Sequence, residues 1–395
     1  MKKITLTISS ICIAVFLIIS CSKNDAVISN AFAAVEQTFG TNINLNSLAN
    51  YANQGKPNYI VKDNTGTNKI SDAKATLGRV LFYDKNLSID NTISCASCQK
   101  QAFAFGDTAV ASKGVAGGFT ARHSMRLVNA RYSVESKFFW DERAASLELQ
   151  TTMPIQDHAE MGFSGLNNRP TITTLLGKLQ SINYYNELLK FAYGDITVTE
   201  IRLQECLSQF VRSIQSFDSK YDIGRAQVNN DVQNFPNFST LENAGKQLFI
   251  TNPNFDVNGS RISGGLGCNR CHNAPEFDID PNSKNNGIIG KIGNIGIDIT
   301  VTKAPTLRDV INGAGVENGP LMHTGNLATI QNAIGHYGAI NIANGNTNLD
   351  PRLVINGQGQ KLNLTAQDVN SLIAFMKTLS GNNIYTDSKW SNPFK

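Results

Sequence analysis

Apolar residues recur at helical spacing in a few well-separated stretches of the chain. In "EIRLQECLSQFVRSIQSF", Leu203, Leu207, Phe210, Val211 and Ile214 fall on one face of a predicted helix. Near the other end, Val369, Leu372, Ile373, Met376 and Leu379 form a second stripe. Thr197-Val-Thr-Glu200 and Thr365-Ala-Gln-Asp368 read as N-terminal capping boxes for these two helices, and Gly381 as a stop signal. Ser239-Thr-Leu-Glu242 caps a further helix carrying "AGKQLF". Strict apolar–polar alternation is rare and short, so the pattern predicts an all-α fold with long irregular connections.

The chain also repeats itself. "LGRVLFYD" at 77–84 precedes a C-x-x-C at Cys95 and Cys98, and "AGKQLFIT" at 244–251 precedes another at Cys268 and Cys271. Gly78 to Gly245 spans 167 residues and Cys95 to Cys268 spans 173, so the two copies keep nearly one offset. Each copy reads as helix, C-x-x-C loop, long variable region, helix. Two helical domains follow, 71–235 and 236–385, joined where "NNDVQNFPNFST" breaks regular structure.

The N-terminus adds a location. Lys2 and Lys3 precede the almost uncharged apolar run 4–20, too short for a membrane span and typical of an export signal. Ile18-Ile19-Ser20-Cys21 resembles a lipobox, in which Cys21 is lipidated and becomes the first mature residue. Residues 1–21 are then a signal peptide and 22–70 a tether with a short helical lead-in. The expected location is the cell envelope, facing the periplasm and held to the membrane by the lipid alone. Charged residues make up only 17% and the net charge is +4 without a basic run, so nucleic acid is not an expected partner. Cys206 lies on the first apolar stripe and reads as an inert core thiol.

"GCNRCHNAPEF" is a complete C-x-x-C-H: two thiols for thioether bonds to a porphyrin, with His272 delivered to one face of its iron. A thioredoxin-type dithiol would need a βαβ context that is absent, and a zinc ribbon would need closer pairs. The first pair, "SCASCQ", has Gln99 where the histidine would stand. An amide is a poor donor to haem iron beside imidazole. Two fates are open for Cys95 and Cys98: haem c without a strong proximal donor, or a disulfide or free thiols.

In combination, "LGRVLFYDKNLSIDNTISCASC", "FFWDERAASLELQTTMPI", "HAEMG", "GCNRCH", "KAPTLRDV" and "MHTGNLATIQNAIGHYG" resemble the bacterial di-haem cytochrome c peroxidase family, including its relative methylamine-utilisation protein G. The resemblance runs from about Leu77 to Leu379. It implies two cytochrome c-like domains with one haem c each, the N-terminal one peroxidatic and the C-terminal one collecting electrons from a small cytochrome or cupredoxin. It implies hydrogen peroxide as substrate, Trp140 between the haems, Glu160 as acid/base and a calcium between the domains. A homodimer is compatible with it.

Departures from the family pattern accompany the match. Gln99 replaces the proximal histidine. "SKGVAGG" has Val115 where some members carry a removable histidine, which leaves that site open. The calcium region has Arg122-His123 in place of Arg-Asn, before a Lys303-Ala-Pro305 segment whose carbonyls would complete the shell. Fourteen residues beyond His323 stands Tyr337, as in the methylamine-utilisation type, where peroxidases have Met; its neighbour His336 competes for the same iron. Arg143 is placed to meet a haem propionate or a surface carboxylate, and His323 a propionate or the linker. His158, Met125 and Met161 read as structural. The reading is a peroxide-reducing oxidoreductase impaired at its first haem. Its rivals are a mono-haem electron-transfer lipoprotein and a high-valent-haem oxidase of a protein or organic substrate.

Overall fold

The computed structural model describes residues 31–279, 281–293 and 295–395. The export signal and Cys21 lie outside the described residues. The regular structure of the described chain is mostly helical, set among long irregular connections: α1 (Ala33–Phe39), α2 (Asp72–Tyr83), α3 (Leu147–Gln156), α4 (Ile172–Gln180), α5 (Asn183–Tyr193), α6 (Glu200–Ser213), α7 (Lys220–Arg225), α8 (Thr240–Ile250), α9 (Ile330–Gly338) and α10 (Ala366–Lys377). Six short strands form three two-stranded antiparallel pairs: β1 (Pro253–Phe255) with β2 (Arg261–Gly264), β3 (His272–Asn273) with β4 (Asp278–Ile279), and β5 (Val354–Ile355) with β6 (Gln358–Gly359).

The repeat in the sequence is a repeat in packing. α2 crosses α6, and α8 crosses α10, at the same pair of glycines. A Cβ on Gly78 would lie 2.0 Å from the Cys206 carbonyl oxygen, and one on Gly245 would lie 1.9 Å from that of Ser371. Four residues further along the partner helices, Phe210 and Phe375 close the same contact, each fully buried. Glycine is required here because the helix backbones touch, not because a turn needs it.

Two hydrophobic clusters result. One gathers Leu77, Leu81, Leu207 and Phe210; the other gathers Phe249, Leu372, Phe375 and Met376. Each such side chain contributes about 1.5–3 kcal/mol on burial. The first cluster also takes in residues from both ends of the described chain, Val35 and Phe39 of α1 and Trp390 near the C-terminus. The lead-in expected before residue 71 thus carries a short helix that packs into the core, its first N–H groups (Ala34, Val35) donating to Glu187 of α5 at 3.0 and 2.9 Å. A fully buried Arg308–Asp222 pair, at 2.9 and 3.0 Å, ties α7 to the segment before α9.

Two local expectations are corrected. The cap of α6 is Thr199, whose hydroxyl accepts from the Arg202 N–H, and not Thr197. Glu200 therefore begins the helix and accepts from Thr152 and Gln156 of α3 instead of closing a box. Gly381 does not stop α10, which ends at Lys377. Its missing side chain leaves room for Ser216 and Asp218, whose oxygens would lie within 2.4 Å of a Cβ. The capping boxes at Ser239 and Thr365 form as expected.

Candidate functional site

Both C-x-x-C stretches adopt one short 3-10 turn. The Cys98 N–H donates to the Cys95 carbonyl at 3.3 Å, and the Cys271 N–H to that of Cys268 at 3.2 Å. Each turn opens into a large cavity. The N-terminal one, about 1610 Å³ including its open mouth, is lined by Cys95, Cys98, Gln99, Trp140, Arg143 and Glu160. The C-terminal one, about 1540 Å³ on the same measure, is lined by Cys268, Cys271, His272, Met322, His323 and Tyr337. The lining of both is mostly apolar, which suits the face of a porphyrin. Burial pushes the Cys95, Cys98 and Cys268 thiols up to about 12. Such thiols are not the acidic pair of a dithiol oxidoreductase.

His272 starts β3, whose pairing with β4 fixes its backbone. Burial pulls its imidazole down to about 4, so the ring is neutral, the form that ligates metals. Its Nδ1 is buried without a hydrogen-bond partner. Two thiols, a neutral imidazole and an adjoining cavity fit a covalently attached haem. At the other cavity the thiols and the space fit as well, but the amide of Gln99 does not fit the iron. Its Oε1 is buried and also without a partner.

Glu160 is held by two devices. Asp157 accepts from the Ala159 and Glu160 N–H groups at 2.8 and 3.0 Å, closing a tight turn. The loop at 113–118 then lies across that turn, its Val115 N–H donating to the Glu160 carbonyl at 3.1 Å. Gly114 permits this approach, since a Cβ there would sit 1.9 Å from the Ala159 oxygen. The half-buried carboxyl is pushed up to about 7, chiefly by loss of water and then by Asp157. Val115 itself is buried.

Trp140 lines both cavities. It sits in a tight hairpin at 138–144, where Phe139 and Glu142 adopt left-handed backbone and Phe138 N–H meets the Ala144 carbonyl at 2.9 Å. Its indole N–H donates to the His123 carbonyl at 2.7 Å, and its own carbonyl accepts from the Thr302 and Lys303 N–H groups. His323 stands edge-on to it at 6.2 Å, with Nε2 on the Gly290 carbonyl. Arg143 lies 3.6 Å over the Phe139 ring, pairs with Asp141 at 2.8 Å and stays 41% exposed.

Tyr337 and His336 separate cleanly. Both lie on α9, but Tyr337 lines the C-terminal cavity while the His336 ring bonds the Asn286 carbonyl at 2.9 Å. Met125, expected as core, lines both cavities; Met161 is buried against the N-terminal one; His158 bonds Ser164 in a loop. In the expected calcium region, Arg122 pairs with Asp141 and Asp298 at 2.6 and 2.8 Å. Among the described residues, no group of three or more His, Cys, Asp or Glu forms a metal site. One residue escaped the sequence reading. Arg126 lines both cavities, and its Nε is buried without a partner. A guanidinium so placed calls for an anion in the space it faces; "SMRLVN" carried no motif that could have marked it.

Comparison with known proteins agrees with this geometry. Residues 72–229 match the family described as di-haem cytochrome c peroxidase. Methylamine utilization protein MauG of Methylophilus methylotrophus is 27% identical, over 80% of this chain and 84% of its own. Cytochrome c551 peroxidase of Nitrosomonas europaea is 26% identical, over 78% and 80%. Among solved structures, a MauG-like protein associated with microbial copper homeostasis superposes with a TM-score of 0.64 at 25% identity, covering 86% of this chain and 99% of that one. The diheme peroxidase BthA of Burkholderia thailandensis shares the fold, with a TM-score of 0.57 at 19% identity.

Proposed function

We propose that the chain is an oxidoreductase of the di-haem cytochrome c peroxidase family, an envelope-located, peroxide-linked haem enzyme whose N-terminal site is crippled by Gln99. The observation that carries the reading is the pair of C-x-x-C cavities with Trp140 in their common wall. Haem c, when bound, supplies the one-electron couples; the chain supplies everything else.

Cys268 and Cys271 would hold the cofactor at the C-terminal site, and His272 would offer it a neutral imidazole. Tyr337 stands in that cavity as a further candidate to hold the group. Trp140 offers an aromatic bridge between the cavities. Arg126 offers a charge for the cofactor's carboxylates from the same wall. Reduction of hydrogen peroxide to two waters consumes two electrons and two protons. Electrons from a small cytochrome or cupredoxin would enter on the C-terminal side. Glu160, with its carboxyl near neutrality, can take or give a proton at pH 7 in the N-terminal cavity. Gln99 supplies no donor comparable to imidazole, so no step is assigned to iron there, and turnover is strongly impaired. Anchorage through a lipid on Cys21 rests on the lipobox alone.

The orphaned Gln99 oxygen favours a second reading, a mono-haem electron-transfer protein. Tyr337 in turn suits oxidation of a protein or organic substrate. Haem per chain, by pyridine haemochrome and intact mass, separates them. Two haems with peroxide-dependent oxidation of a reduced cytochrome support the enzyme; one haem without turnover supports electron transfer. Gln99→His should raise both haem count and turnover. If it moves neither, the role given to position 99 is wrong.

A further inference from the structure

Asn286 has no part in the reading above, yet it lines the C-terminal cavity together with Tyr337 and Met322. Its Nδ2 lies 3.2 Å from the Tyr337 hydroxyl and 3.2 Å from the Met322 sulfur. Its Oδ1 accepts from the Ile288 N–H at 3.1 Å, so the amide cannot turn over without losing that bond. Its carbonyl takes the His336 ring, next to Tyr337 on α9. The neighbouring Asn285 is fully buried and braced by Asn346 at 2.7 Å, so Asn286 projects from a fixed platform.

Met322 is unusual in its own right. Its backbone is left-handed, φ +68°, an uncommon state for a residue with a Cβ. The turn that holds it, with the Gly325 N–H on the Met322 carbonyl at 3.1 Å, also leaves Met322 lining the cavity beside Tyr337. The cavity therefore contains two candidate donors of opposite character, a hard phenol oxygen and a soft thioether, joined by one amide.

We propose that Asn286 is a positioning residue that decides which donor the C-terminal cavity presents to haem iron, holding the Tyr337 oxygen forward and engaging the Met322 sulfur so that it stays back. The proposal rests on the reading of Tyr337 as the ligand opposite His272. Axial sulfur raises a haem's reduction potential, whereas an oxygen donor favours the ferric state. Groups that hydrogen-bond a ligand are known to control its orientation and donor strength. Loss of the amide donor should thus release the sulfur.

The test uses the exported, haem-loaded chain. Asn286→Ala should give the C-terminal haem a sulfur-to-iron charge-transfer band and an upward shift in potential. Asn286→Asp, nearly the same size but without the donor, should move both in the same direction. Asn286→Ala combined with Met322→Leu should abolish the band and return the potential to the wild-type value or below. Unchanged spectra and potential in both single variants, or a shift that Met322→Leu does not remove, overturns the proposal. If Tyr337→Phe leaves the spectrum as it was, or the C-terminal site holds no haem, the underlying reading of Tyr337 fails instead, which the same measurements reveal.

Discussion

The two cavities began as copies and differ now in what their polar groups can do. Both are entered by the same 3-10 turn with two thiols, and burial raises those of Cys95, Cys98 and Cys268. The C-terminal one places a neutral imidazole after the second cysteine, and its carboxylate is tied down: Asp350 accepts from Arg352 at 2.7 and 2.9 Å and is held below the usual carboxylate range despite burial. The N-terminal one has an amide in place of the imidazole and a half-buried carboxylate, Glu160, with a raised pKa. On the proposed reading, one cavity would hold iron and fix charge and the other would move a proton. Duplication preserved the scaffold, and the chemistry diverged at single positions upon it.

The largest effect should come from His272→Ala, which is expected to remove most of the Soret absorbance per chain, while Gln99→Ala leaves it unchanged. Equal losses in the two variants would erase the contrast. Next are the matched glycines. Gly78→Ala and Gly245→Ala each force a methyl into a helix carbonyl, and each should cost about 3 kcal/mol or more in denaturant unfolding. A cost under about 0.5 kcal/mol at either site would mean that the helices do not touch there.

The carboxylates should then respond to pH with opposite sign. Glu160 binds its proton more tightly folded than unfolded, so its contribution is fully present below about pH 4 and is lost as pH rises through about 7. Glu160→Gln should therefore gain about 1–3 kcal/mol over wild type by pH 8 and almost nothing at or below about pH 4. Asp350 is depressed, so its contribution holds at neutral pH and disappears in acid. Asp350→Asn should cost about 1–3 kcal/mol at pH 7, falling toward zero below pH 4. Parallel pH profiles for the two variants would contradict the assignment. The smallest effect belongs to Arg143→Ala, whose exposed pair with Asp141 should be worth less than about 0.5 kcal/mol. A larger loss would place Arg143 in the cavity rather than at its rim.

The sequence by itself determined what depends on local spacing. Two C-x-x-C turns, the capped helices α8 and α10, the apolar stripe of α6 and the paired glycines could all be read from residues a few positions apart, because turn, cap and stripe are short-range geometry. Even there, the choice between Thr197 and Thr199 as cap was not local. It depends on where Glu200 finds its partners on α3, fifty residues earlier. What only the tertiary structure decided is which distant groups share a space. That Tyr337 turns inward and His336 outward, that Arg126 faces both cavities and that Asn286 reaches Met322 and Tyr337 together are properties of segments brought together from across the chain. No periodicity encodes them, since burial removes each polar group from water wherever it lies in sequence and leaves its partner to be supplied by the fold.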